Sequence, residues 1–112
     1  MSGIGKSVNR LDAHDKVIGK AKYPGDFNFP DELIMKVLFA GVPHARILSI
    51  DTHAAEALPG VVAVLTAKDV PVNEYGLGIQ DQPVLCGPGS EKEGADVVRF
   101  EGDHVALVIA EN

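Results

Sequence analysis

An α/β fold is predicted for this chain by three features of its sequence. Residues 43–71 (PHARILSIDTHAAEALPGVVAVLTAKDVP) carry a strand, a short helix, a second strand and a turn in which every local signal agrees. Two further apolar runs, residues 33–40 (LIMKVLFA) and 105–110 (VALVIA), read as strands. Hydrophobic residues make up 46% of 112 positions, enough for one core, and with no Trp, two Tyr and four Phe that core must be mainly aliphatic. The expectation is a small mixed sheet of about five strands with two short helices.

Residues 1–24 read as an extended, basic lead-in arm, because they lack both helical and strand periodicity. From residue 1 to 22 there are five basic and two acidic side chains, whereas the remainder holds five basic and fourteen acidic. Residues 25–112 are expected to form the domain. Turn chemistry fills residues 24–31, and the first strand follows at 33–40 with Lys36 as its one charge.

Within the organising unit, residues 46–50 (RILSI) suit a short strand. Asp51-Thr52 offers a capping oxygen to a helix whose apolar residues Ala54, Ala57 and Leu58 fall at i, i+3 and i+4. Pro59-Gly60 stops it. Residues 61–65 (VVAVL) form a continuous apolar run, the pattern of a strand covered on both faces. Thr66 with Asp69 reads as a capping box for one helical turn, closed by Pro71. Residues 72–95, with five Gly and two Pro, read as a long loop that is functional or mobile. Residues 97–100 and 105–110 read as strands joined in a hairpin through Glu101-Gly102-Asp103-His104.

Five pieces of this sequence, in order, resemble the N-terminal α/β hammerhead domain of the molybdenum-containing hydroxylase large subunit, the xanthine dehydrogenase and aldehyde oxidase family. They are His44-Ala45-Arg46-Ile47, Ile50-Asp51, Ala54-Ala55-Glu56-Ala57, Pro59-Gly60-Val61 and Thr66-Ala67-Lys68-Asp69-Val70-Pro71. The lead-in matches as well, through Arg10, Asp12, Lys16, Gly19, Ala21, Tyr23 and Asp26, and residues 80–85 (QDQPVL) match a later family feature. Where the family commonly has Gln after the Gly of the last turn, this chain has Asp103 after Gly102.

The resemblance implies a structural domain of a molybdopterin-dependent oxidoreductase that hydroxylates aldehydes, purines or aromatic heterocycles with oxygen from water. It implies a parent enzyme using molybdenum-molybdopterin, with iron-sulfur clusters and FAD on partner domains or subunits. It places the catalytic and cofactor-binding residues outside these 112, so no catalytic, cofactor-binding or metal-ligating residue is expected among them. The matched positions Gly19, Ala21, Tyr23, Asp26, His44, Ala45, Asp51, Pro59, Gly60, Asp69, Pro71 and Gly102 are implied to be structural. The chain is then expected to be a fragment of a much longer one, inactive alone, with apolar surface exposed and capable of self-association. The competing reading is a free-standing ligand- or protein-binding module that uses the 72–95 loop.

Other chemistries find little support. The net charge of −6 argues against nucleic acid, which needs a basic surface. His14, His44, His53 and His104 show no zinc-ligand spacing with one another or with Cys86. His44 is expected to be a hydrogen-bonded packing residue, and Cys86 a solvated or loosely packed thiol with no electropositive setting to activate it. Gly5-Lys6-Ser7 lacks the earlier Gly and the strand of a phosphate loop, and Gly76-Leu77-Gly78 is too short for a dinucleotide fingerprint. Carboxylate pairs such as Asp12 with Asp15 and Glu91 with Glu93 lie in polar stretches where nothing would raise a pKa. One cysteine excludes an internal disulfide, and without an 18-residue apolar run or a signal peptide the chain reads as cytoplasmic, with no membrane partner.

Overall fold

The computed structural model describes residues 4–112. Gly3, which opens the Gly-Ile-Gly-Lys-Ser run, lies outside the described residues. The chain divides into two compact units, one ending at Glu32 and the other running Leu33–Asn112.

The first unit is not uniformly extended, as its lack of periodicity had implied: it contains a one-turn helix, α1 (Ala13–Val17). The reason is local. Asp12 at its N-cap binds Arg10 on one side and Lys16 on the other, the latter at 2.6 Å across an i,i+4 step. Arg10 first, then Lys16, holds the Asp12 carboxyl below its ordinary range. Gly19, at φ +72°, reverses the chain so that the N–H groups of Lys20 and Ala21 both donate to the Asp15 carbonyl, at 2.8 and 2.9 Å. A 3-10 turn, Pro24–Asp26, follows, closed by the Tyr23 N–H donating to the Asp26 carboxylate at 2.9 Å.

The second unit holds five strands and one further helix: β1 (Ile34–Phe39), β2 (Ala45–Arg46), α2 (His53–Glu56), β3 (Val61–Leu65), β4 (Val97–Val98) and β5 (His104–Ala110). The expected number of strands is present, in a different arrangement. They divide between two sheets, β1-β5-β3 and β2-β4, and every pairing is antiparallel rather than mixed.

The final hairpin does not form. The Asp103 carboxylate accepts the N–H groups of Arg99 at 2.6 Å and Phe100 at 3.3 Å, so the turn is real. Both edges of β5 are already occupied by β1 and β3, however, and β4 pairs with β2 instead. The Arg46 guanidinium reinforces that pairing with a 2.6 Å bond to Asp96.

The predicted helix is shorter than its pattern. Its cap is divided: Asp51 accepts the His53 N–H at 3.1 Å, while the Thr52 hydroxyl donates to the Glu56 carboxylate at 2.6 Å. Ala54, Ala57 and Leu58, the expected inward stripe, are all exposed, and Ala55 is the part-buried position. One turn has too little surface to dictate which face is covered.

The 66–69 capping box forms as a 3-10 turn, Ala67–Asp69, with the Thr66 N–H donating to the Asp69 carboxylate at 2.8 Å. That bond, first among the causes, holds the Asp69 carboxyl below the ordinary 3.8. A depressed folded pKa contributes stability above the unfolded value, and the contribution is lost as pH falls through the folded one. Asp69→Ala is therefore expected to cost about 1 kcal/mol at neutral pH, and to flatten the stability loss below pH ~4, in paired acid and urea titrations.

The largest departure lies in residues 72–95. Read from sequence as a functional or mobile loop, this segment supplies Leu85, Cys86 and Ala95 to the core, beside Ala67, Val98, Val105 and Ala106. Asn73, only 5% exposed, makes this possible: its amide donates to the Leu85 carbonyl and accepts the Leu85 N–H, both at 2.9 Å. The side chain thus stands in for a strand partner. The Cys86 N–H continues the pattern by donating to the His104 carbonyl at 2.6 Å, and the Gly87 N–H donates to the Ala95 carbonyl at 2.8 Å. Gly87 packs closely here: a Cβ would lie 2.9 Å from Ile50 Cδ1, the movable end of that side chain.

Candidate functional site

The β1-β5-β3 sheet places apolar side chains on both faces with little above them. Register sets Ile34, Leu38, Val108, Ala110 and Val61 on one face and Met35, Val37, Leu107 and Ile109 on the other. Ile34, Met35 and Leu38 are 47%, 58% and 56% exposed, far from the burial such residues normally have in a sheet. A bulge between Val61 and Ala63 turns Val62 outward as well. The run 61–65 is therefore not covered on both faces within the second unit. A shallow apolar groove of about 480 Å³ runs across the first face, with Lys36 as the one charged side chain in its lining.

A second concavity, of about 350 Å³, lies between the 75–84 loop and the turn before β5. Tyr75, Gln82, Arg99, Phe100 and His104 contribute to its wall. The Arg99 guanidinium is turned back onto the Gly94 and Val97 carbonyls, at 3.3 and 3.2 Å, and the His104 ring meets Phe39 edge-on at 5.4 Å. These groups are committed to holding the turn. Gly102 fits because a Cβ there would sit 2.4 Å from the Phe100 ring.

The other matched positions are dispersed among turns and caps. Asp51 bonds the exposed His53 ring at 2.7 Å, which raises the His53 pKa and lowers its own. Gly60 turns the chain at φ +83°, after Pro59, and its carbonyl accepts the Glu111 N–H at 2.8 Å. Ala45 is half-buried in β2, Pro71 is exposed after the 3-10 turn, and Asp69 is the capping acid described above. In the first unit Gly19 and Asp26 shape turns, Ala21 is half-buried and Tyr23 is 54% exposed.

Two expectations are overturned. His44 is exposed rather than packed, because it lies in the turn just before β2. Cys86 is not solvated but 1% exposed; its backbone is pinned to His104, and burial, then the Asp103 charge, pushes its thiol pKa up. Alkylation of Cys86 by iodoacetamide at pH 8 is expected to be at least about 100-fold slower in the folded chain than in urea. Equal rates would remove Cys86 from the core. Asn73 escapes sequence reasoning altogether, since an Asn among turn residues carries no sign that it will clamp a core strand.

Among the described residues no group of three or more His, Cys, Asp or Glu side chains is placed to hold a metal ion. No chemical step is assigned to these residues. No helix among the described residues is long and apolar enough to cross a membrane.

The family model for the a/b hammerhead domain of aldehyde oxidase and xanthine dehydrogenase matches residues 18–112. A probable xanthine dehydrogenase component from Bacillus subtilis is 48% identical over 103 residues, covering 91% of this chain and 13% of that protein. A nicotinate dehydrogenase large molybdopterin subunit of Eubacterium barkeri is 40% identical over 109 residues, covering 96% of this chain and 24% of that protein. In the crystal structure of a Cu,Mo carbon monoxide dehydrogenase, the similar region superposes with a TM-score of 0.76 at 35% identity, covering 96% of this chain and 13% of that one. The chain thus spans between about an eighth and a quarter of these relatives.

Proposed function

The chain belongs to the aldehyde oxidase and xanthine dehydrogenase hammerhead family, and from that premise we propose that it serves as a structural domain of a larger molybdopterin-dependent oxidoreductase. The observation that carries this reading is the β1-β5-β3 sheet, whose Ile34, Met35 and Leu38 are about half exposed. Apolar area of this kind is stabilising only when covered, at about 25 cal/mol per Å². The proposed cover is another domain of the same polypeptide, and the sheet's role is to orient that domain.

The whole enzyme would hydroxylate an aldehyde, purine or aromatic heterocycle with water as oxygen source. Its molybdenum-molybdopterin would accept the electrons, and iron-sulfur and FAD partners would carry them away. The cytoplasm suits such an assembly, and the one cysteine, kept in the core, agrees with a reducing compartment. In the competing module reading, the 72–95 segment, which gives Asn73, Leu85, Cys86 and Ala95 to the core, would bind through its remaining exposed residues.

The test is to express the complete reading frame that encodes this segment, in a host that makes the pterin cofactor, and to measure bound molybdenum and hydroxylation with labelled water. Stoichiometric molybdenum and label in the product are expected. A complete polypeptide that takes up no molybdenum would overturn the reading.

A further inference from the structure

The 74–84 loop of the second unit is exposed at its tip and hydrogen-bonded at its base. The Tyr75 N–H donates to the Gln82 carbonyl at 2.8 Å and the Gln82 N–H returns a bond at 3.2 Å, forming a two-bond neck. Inside the neck, Gly76 lies so close to the Ile79 carbonyl that a Cβ would sit 1.8 Å from its oxygen, so the turn closes only with Gly. The tip then projects Leu77, fully exposed, and Ile79, 78% exposed.

Lys92 reaches this loop from another turn. Its ammonium donates to the Glu74 carboxylate at 3.2 Å and to the Gln80 carbonyl at 3.1 Å, one contact on each side of the tip. The Lys92 side chain is only 15% exposed. Its own backbone is fixed, with its N–H donating to the Ser90 hydroxyl and its carbonyl accepting the N–H of buried Ala95. A cation anchored to the core therefore bridges the two arms of an apolar loop.

We propose that Lys92 is a latch that holds the Tyr75–Gln82 loop in one conformation, so that Leu77 and Ile79 make a preformed apolar contact with another domain of the same enzyme polypeptide. The latch is a property of this chain alone, and its partner rests on the function proposed above. Ordering the loop in advance removes the entropy that contact would otherwise cost. The partner surface it fits is apolar opposite Leu77 and Ile79 and leaves the exposed Asp81 carboxylate, on the returning arm of the loop, at its edge.

Hydrogen exchange on the complete polypeptide tests the latch. Lys92→Met is expected to speed exchange of the Tyr75 and Gln82 amides about tenfold or more while leaving the β5 amides unchanged. Glu74→Gln, which keeps the bond to Gln80, is expected to give a smaller increase at the same amides, and serves if Lys92→Met fails to fold. Unchanged exchange at Tyr75 and Gln82 overturns the latch. Hydroxyl-radical footprinting tests the contact. Leu77 and Ile79 are expected to be protected in the complete polypeptide relative to a free peptide of residues 72–84, and equal labelling overturns the contact. Absence of molybdenum would sink the proposed enzyme but leave the exchange result intact, so the two failures are distinguishable.

Discussion

Asn73→Ala is expected to lower the free energy of unfolding by about 2–4 kcal/mol, because it leaves two buried backbone groups of Leu85 without partners. The Asn73 amide supplies one donor and one acceptor to that residue, and a methyl group supplies neither. Leu85 is 1% exposed, so water does not replace the lost bonds without opening the core. Asn73→Asp is expected to be nearly as damaging, since it retains the acceptor but points a carboxylate at the Leu85 carbonyl. With no Trp in the chain, urea unfolding followed by far-ultraviolet circular dichroism is the suitable measurement. A loss below about 0.5 kcal/mol, the range of ordinary surface changes, would mean that the clamp is not formed.

Leu85→Ala is expected to cost about 2–5 kcal/mol through lost burial and the cavity left behind. Leu58→Ala, at a position 59% exposed, should stay within about 0.5 kcal/mol. The pair is informative because sequence periodicity assigns Leu58 to the covered face of a helix and Leu85 to a loop, whereas the structure reverses them. Asn73 and Leu85 share their bonds, so the double substitution should cost less than the sum of the two single ones. Strict additivity would separate the clamp from the core it is argued to hold.

The local elements were readable where a few neighbouring residues settle the outcome. Thr66 and Asp69 form their capping box because a three-residue separation brings amide and carboxylate together within one turn. Pro59-Gly60 ends α2 because one residue cannot donate and the other accepts a φ of +83°. The strands at 34–39, 61–65 and 104–110 follow from continuous apolar, β-branched sequence. The family is carried by matched residues in order, and the match over residues 18–112 bears that out.

What sequence could not supply was the choice among partners far apart in the chain. β4 and β5 are separated by a turn that looks like a hairpin, yet β5 is the central strand and has no free edge for β4. The acidic, Gly-rich 72–95 segment reads as a functional or mobile loop, and Asn73 draws its Leu85 inward by satisfying that residue's backbone. Cys86 follows into the core for the same reason. Local signals fix turns, caps and strand propensity because their energetics lie within one turn of chain. Edge occupancy and the satisfaction of buried backbone groups are decided only when segments 12 to 50 residues apart meet, as Asn73 meets Leu85 and Arg46 meets Asp96.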